Sequence, residues 1–179
     1  MKPKETIERF DGFLAARGLE LDAVVVGGVA LALLGVTSRQ TRDCDVLDPE
    51  IPPDIADAAR EFAIAVRAAG EALDDGWLNN GPSSLAGLLP EGWRSRTERV
   101  FSGKALLLRS LGRTDLLMTK LFALCDRGID LQDCVALNPT AEEMTEVLDW
   151  LIRQDLHPGW PAHVRSTLAD LARRLGHAL

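Results

Sequence analysis

One stretch narrows the possible folds more than any other: Val24 to Leu47, VVVGGVALALLGVTSRQTRDCDVL. Its three successive valines are β-branched and poor helix formers, so they read as a buried strand. Gly27 and Gly28 end that strand. Adjacent glycines let the backbone turn sharply and let another group come close to it. VALALLG then reads as a short apolar helix that Gly35 is placed to stop, with Arg39 and Thr41 in the connection beyond. Asp43-Cys44-Asp45-Val46-Leu47 returns as a second strand. Side chains alternate along a strand, which sends Asp43 and Asp45 to one face and Cys44 and Val46 to the other. Two carboxylates about 7 Å apart along a strand can share a hard divalent cation. A glycine turn at a helix start offers N–H groups to a phosphate. The two halves together suggest a nucleotide–metal site.

Around this stretch the chain reads as follows. Lys4 to Arg17 has apolar residues at helical spacing, and Gly18 is a plausible stop. Leu21 to Val26 is the first strand. Pro52 and Pro53 suit the start of an alanine-rich helix, Ile55 to Ala69. Gly70 to Leu78 is ambiguous. Asn79 to Trp93 clusters Gly, Pro, Ser and Asn and is predicted as a surface loop. Val100-Phe101 and Lys104 to Leu108 read as two strands around a tight turn. Beyond Leu111 the pattern is helical. One helix runs from Gly112 to Asp126 with Thr114 as N-cap, and a short one from Asp130 to Leu137. Thr140-Ala-Glu-Glu143 is a capping box opening a helix to about Gln154, and Pro161 to Leu175 is a final amphipathic helix. The expected organisation is an α/β core, residues 1–111, with a C-terminal helical region, residues 112–179, packed on it.

Charge and cysteine content limit the function classes. Twenty basic against 27 acidic residues leave a formal charge of −7 and a pI near 5.0. That balance argues against a nonspecific grip on nucleic-acid phosphates, while leaving room for a local basic patch. Cys44, Cys125 and Cys134 have no disulfide or zinc spacing, which suits a reducing cytoplasm. The N-terminus reads as a charged helix rather than a signal peptide, and no apolar run approaches membrane-spanning length. The three histidines, His157, His163 and His177, read as surface or capping residues. No Gly-x-Ser-x-Gly elbow, P-loop or Rossmann fingerprint is present.

The Gly27–Gly28 turn followed by Arg39-x-Thr41-x-Asp43-x-Asp45 resembles the nucleotidyltransferase superfamily, the polymerase-β-like fold. There a Gly-Gly or Gly-Ser turn opens a helix and an Asp-x-Asp strand follows. The closest resemblance is to the bacterial toxin-like branch that includes the AbiEii-like proteins of toxin–antitoxin systems. A later block of that branch is matched here by Lys120, Ala123, Arg127, Asp130 and Asp133. The resemblance implies a small mixed sheet flanked by helices. It implies Asp43 and Asp45 as catalytic metal ligands for Mg²⁺. It also implies Gly27, Gly28, Arg39, Thr41 and Lys120 around the nucleotide, and an NTP as donor. The acceptor would be a hydroxyl of RNA, a protein or a small molecule, and an antitoxin is the implied partner.

Each assignment has a structural rival. Asp43 and Asp45 read alternatively as a solvated strand end, the glycines as a tight turn without ligand, and Arg39 and Arg42 as solvated loop residues. Lys120 and Arg127 share one helix face, while Asp130 and Asp133 share a face of the next segment. They could form an ion-pair latch, because a Lys120 stem among leucines leaves its charge in need of a partner. The sequence departs from the superfamily at one place. Active members usually carry a third carboxylate on a later strand. The candidate strand, Lys104 to Leu108 followed by Arg109, has none, and Glu98 is the nearest acid. The alternative to an Mg²⁺-dependent enzyme is therefore a catalytically inactive module with a binding or regulatory role. An antibiotic-modifying enzyme would share the site and need an acidic cleft.

Overall fold

The structure, a computed structural model, describes residues 2–178. It divides into two compact units, Met1–Leu111 and Gly112–Leu179.

The first unit is built on a five-stranded mixed sheet. Its elements are α1 (Pro3–Ala15), β1 (Leu21–Val26), α2 (Gly27–Leu33), β2 (Cys44–Asp48), α3 (Pro53–Ala68), β3 (Leu78–Asn79), β4 (Glu98–Ser102) and β5 (Leu106–Ser110). The strand order is β3-β2-β1-β5-β4. β1 lies at the centre, antiparallel to β2 and parallel to β5. A central strand is buried on both faces, and that is why β1 is the most apolar of the five. Leu21, Ala23 and Val25 of β1 join Cys44, Val46, Leu106 and Leu108 in the core beneath α1, α2 and α3. Phe10, Phe62 and Trp77 close this core, with Phe10 and Trp77 ring centroids 5.0 Å apart, edge to face. The Trp77 indole N–H donates to the Ala59 carbonyl at 3.1 Å, so its polar end is satisfied inside.

The register of β2 carries an irregularity that strand counting does not reveal. Val26 faces Asp45 and Val25 faces Val46, yet Val24 faces Asp48. Leu47 is therefore the extra residue of a bulge. Residues opposite one another in a ladder share a face. Asp48 thus falls on the side of Asp45, away from the helices, where simple alternation would put it beside Val46.

Asn79 to Trp93, predicted as loop, is more ordered than its composition suggests. β3 pairs parallel with the start of β2, and 3-10 turns form at Ser83–Gly87 and Trp93–Arg96. Side-chain to backbone bonds organise the segment. The Asn80 amide donates to the carbonyls of Val46 and Pro49, both at 3.0 Å, and accepts from the Ile51 N–H at 2.8 Å. Trp93 is buried and donates to the Ala86 carbonyl at 3.2 Å.

Asp11 of α1 ties that helix to the β4–β5 hairpin. Its carboxylate accepts the backbone N–H groups of Lys104, Ala105 and Leu106 at 3.0, 2.8 and 2.8 Å. A Cβ on Gly103 would overlap this carboxylate, so the turn needs glycine there. Burial works against ionisation, but the three N–H donors and the Lys104 charge outweigh it and hold the carboxyl below its ordinary value. The stability it confers is therefore complete above the unfolded value of about 3.9 and is lost as pH falls through the lower folded value. Asp11→Ala should cost about 2–3 kcal/mol at neutral pH, because it leaves buried donors unpaired. Urea melts at neutral pH and near pH 3 test this. The gap between wild type and variant should narrow at the acid end, and a gap independent of pH would rule out an ionised latch.

The second unit is helical: α4 (Arg113–Arg127), α5 (Leu131–Leu137), α6 (Ala141–Ile152) and α7 (Trp160–Leu175). α4 is capped at Gly112 with no side-chain bond, so Thr114 is not the predicted N-cap but lies inside the helix. Gly128, at φ 66°, ends α4 in the left-handed region that favours glycine. The capping box at Thr140 forms as its sequence requires. The Glu143 N–H donates to Thr140 Oγ1 at 3.2 Å, and the Thr140 N–H to the Glu143 carboxylate at 2.9 Å. Phe122 meets Trp150 and Trp160 edge to face, at 6.1 and 6.3 Å between centroids. His163 Nε2 lies 2.8 Å from the Cys125 carbonyl and takes part in this packing. Among the described residues, no helix is long and apolar enough to cross a membrane.

Candidate active site

The glycine turn and the carboxylate strand come together because β1 and β2 are neighbours. Val26, the last residue of β1, lies opposite Asp45. The chain must then turn at once into α2, and Gly27 does this with φ 70°. Its missing side chain leaves room for the carboxylate: a Cβ on Gly27 would lie 2.7 Å from Asp45 Oδ2. Gly28 does the same for Thr41, whose Oγ1 would lie 2.9 Å from a Cβ there. Thr41 Oγ1 lies in turn 3.4 Å from Asp43 Oδ1 and donates to the Asp43 carbonyl at 3.3 Å. Gly27, Gly28, Thr41, Asp43 and Asp45 thus form one constellation at the end of β1. The glycines admit it, since any other residue would fill the space that the carboxylate and the hydroxyl occupy.

Asp43, Asp45 and Thr41 are half-buried. Cys44, between the two aspartates, points into the core and is fully buried. Burial, with the Asp45 and Asp43 charges added, pushes its thiol far above the ordinary value. It stays protonated and is no nucleophile. Arg39 is exposed in the connection between α2 and β2, where its N–H donates to Thr37 Oγ1 at 3.2 Å. Arg42 is exposed as well.

Two further carboxylates share this sheet face, and sequence reasoning missed both. Asp48 reaches it through the bulge and is held by Arg94 in a fork, with bonds of 3.1 and 2.9 Å. Asp22 lies on it by alternation along β1 and is paired with Arg109 of β5. Arginine neutralises each of them. Glu98, the nearest acid to the later strand, lies opposite Ser110, which shares the face of Val25. It is on the other side of the sheet from Asp45 and does not supply a third carboxylate there. Among the described residues no group of three or more His, Cys, Asp or Glu side chains is placed to hold a metal ion.

In the helical unit, Lys120 finds the predicted partners. Its Nζ donates to Asp133 at 2.7 Å and to Asp130 at 3.2 Å, and Lys120 and Asp133 are buried. The lysine spans the turn between α4 and α5 and joins the two helices. Asp130 stands at φ 69° as the residue before α5.

Compared with known protein families, residues 5–156 match the family described as nucleotidyltransferase of unknown function (DUF6036). The chain belongs to this nucleotidyltransferase family. Comparisons with curated proteins and with solved structures gave no match. For this DUF6036 nucleotidyltransferase, the activity class that follows is nucleotidyl transfer with an NTP as donor, a chemistry that divalent metals generally assist.

Proposed function

We propose that this protein is an Mg²⁺-dependent enzyme that moves an NMP group from an NTP onto an acceptor hydroxyl and releases pyrophosphate. The single observation that carries the reading is the convergence of Asp45 on Gly27 and of Thr41 on Gly28, with Asp43 beside the Thr41 hydroxyl. The donor set fits the metal. Mg²⁺ takes hard oxygen ligands and is commonly held by one or two carboxylates, with substrate phosphates and water completing its octahedron. Asp43 and Asp45 would hold it, and when bound it would neutralise charge developing on the transferred phosphorus and the leaving pyrophosphate. The N–H groups of the Gly27–Gly28 turn would cradle phosphate oxygens. Thr41 would orient Asp43 by its hydroxyl, and Arg39 would add positive charge beside the triphosphate. In this reading Lys120 serves the helical unit through Asp130 and Asp133, since its ammonium is already engaged.

Incubation with each labelled NTP and Mg²⁺, with total RNA or lysate protein as acceptor, tests the reading. Label should move to an acceptor with one NTP preferred, and chelation should stop it. Mg²⁺-dependent binding of an NTP without transfer would favour the inactive regulatory module, a reading supported by the arginine pairing of the two other carboxylates on this face, Asp48 with Arg94 and Asp22 with Arg109. A role as the toxin of a toxin–antitoxin pair, as in the AbiEii-like branch, is part of the proposal. It would show as growth arrest on expression that Asp43→Asn relieves.

A further inference from the structure

We propose that the groove at the opposite end of the same sheet face binds a backbone phosphate of a single-stranded polynucleotide acceptor; this rests on the nucleotidyltransferase reading and names its acceptor. The groove, of about 380 Å³, is lined by Asp22, Arg99, Ser102, Lys104 and Leu107, with Glu20 contributing as well. Strand register fixes where these side chains lie. Asp22 is four residues before Val26 on the regular strand β1, so both project to one side. Val26 faces Asp45, Asp22 faces Leu107, and Val24 faces Arg109. Arg99 in turn faces Arg109, and Ser102 faces Leu107. Asp45, Asp22, Leu107, Arg109, Arg99 and Ser102 therefore share one surface.

The charges on that surface select the ligand. Asp22 is taken up by Arg109. Asp11, the other carboxylate near Lys104, is occupied by three backbone N–H groups. Arg99 and Lys104 are exposed and, among the described residues, neither has an ion-pair partner. Glu20 is the remaining acid in the lining. Two cations outside any salt bridge, of which Lys104 lies within electrostatic reach of the already hydrogen-bonded Asp11, make this polar groove a place for an anion, on a chain whose formal charge of −7 repels anions elsewhere. The four-residue rise from Asp22 to Val26 is ~13 Å. A small acceptor seated at Asp43 and Asp45 does not span that distance, whereas a strand of several nucleotides does, and its repeating anion is the phosphate.

The test measures binding of a short fluorescein-labelled oligouridylate by anisotropy between about 50 and 200 mM salt. Wild type is compared with the Arg99→Gln/Lys104→Gln double variant and with Arg99→Glu alone. The double variant should bind at least about tenfold more weakly at the low-salt end. The slope of log K against log salt should flatten by roughly 1.4, two phosphate contacts at about 0.7 each. Stabilisation by Mg²⁺–NTP should persist in both variants, which shows that they fold and separates this proposal from the nucleotide site. Unchanged binding in the variants, absence of oligonucleotide binding in the wild type, or transfer of label to protein rather than polynucleotide would each overturn it. Loss of NTP stabilisation in the wild type would count instead against the nucleotidyltransferase reading.

Discussion

Replacing Asp43 and Asp45 together by Asn is expected to abolish label transfer and the Mg²⁺–NTP shift in thermal melting, while the free protein melts no lower than wild type. Both halves of this result follow from the position of the carboxylates. They lie half-buried rather than in the core, Asp45 against Gly27 and Asp43 beside Thr41, so Asn costs little packing. Two ionised groups ~7 Å apart repel by roughly 0.6 kcal/mol in bulk water, and by several-fold more where the effective dielectric is lower. The substitution removes that repulsion and the metal's ligands at once. A metal ion contributes several kcal/mol of transition-state stabilisation, so transfer should fall by about 10²-fold or more. Mg²⁺ alone should shift the melt little, since its shell is completed by phosphate oxygens. Equal stabilisation of wild type and variant by Mg²⁺–NTP would mean that the nucleotide sits elsewhere.

The largest loss of stability is expected at Lys120. Lys120→Ala leaves the Asp133 carboxylate buried without its ammonium, and breaking a buried pair in this way costs about 3–5 kcal/mol. The cause is desolvation, so removing both charges should recover much of the loss. Lys120→Met with Asp133→Leu should lie well above the single variant in stability, although neither ion remains. Denaturant melts of the two single variants and the double variant give the coupling energy. A Lys120→Ala loss below 1 kcal/mol, or singles that simply add, would show that the ammonium is solvated and the latch idle. The same experiment bears on function. If Lys120 works only within the helical unit, a folded Lys120→Met/Asp133→Leu protein should keep its Mg²⁺–NTP shift.

Much of the fold and part of the candidate site were legible in the sequence because they depend on neighbours along the chain. Three valines before two glycines can only end a strand in a turn, and β1 and the start of α2 fall there. The Thr140–Glu143 capping box is a matter of four consecutive residues, and it forms. Alternation also placed Cys44 and Val46 in the core and Asp45 away from it, within a strand that begins at Cys44 rather than Asp43. The leucines around Lys120 required a partner for its charge, and two carboxylates a short way along the chain supplied it.

What lay beyond the sequence depends on pairing between distant strands. Asp48 shares the Asp45 face because Leu47 is bulged against β1, and a one-residue slip reverses every later side chain. Glu98 is excluded from that face by its register against Ser110, which no count along β4 alone could give. Asp11 is an unremarkable residue of an amphipathic helix until the β4–β5 turn, more than ninety positions away, brings three N–H groups to its carboxylate. Local sequence determined the strands, turns and caps, because backbone sterics and capping act over a few residues. The tertiary structure decided which carboxylates meet, because a sheet's faces are set by hydrogen-bond register between segments that the chain keeps far apart.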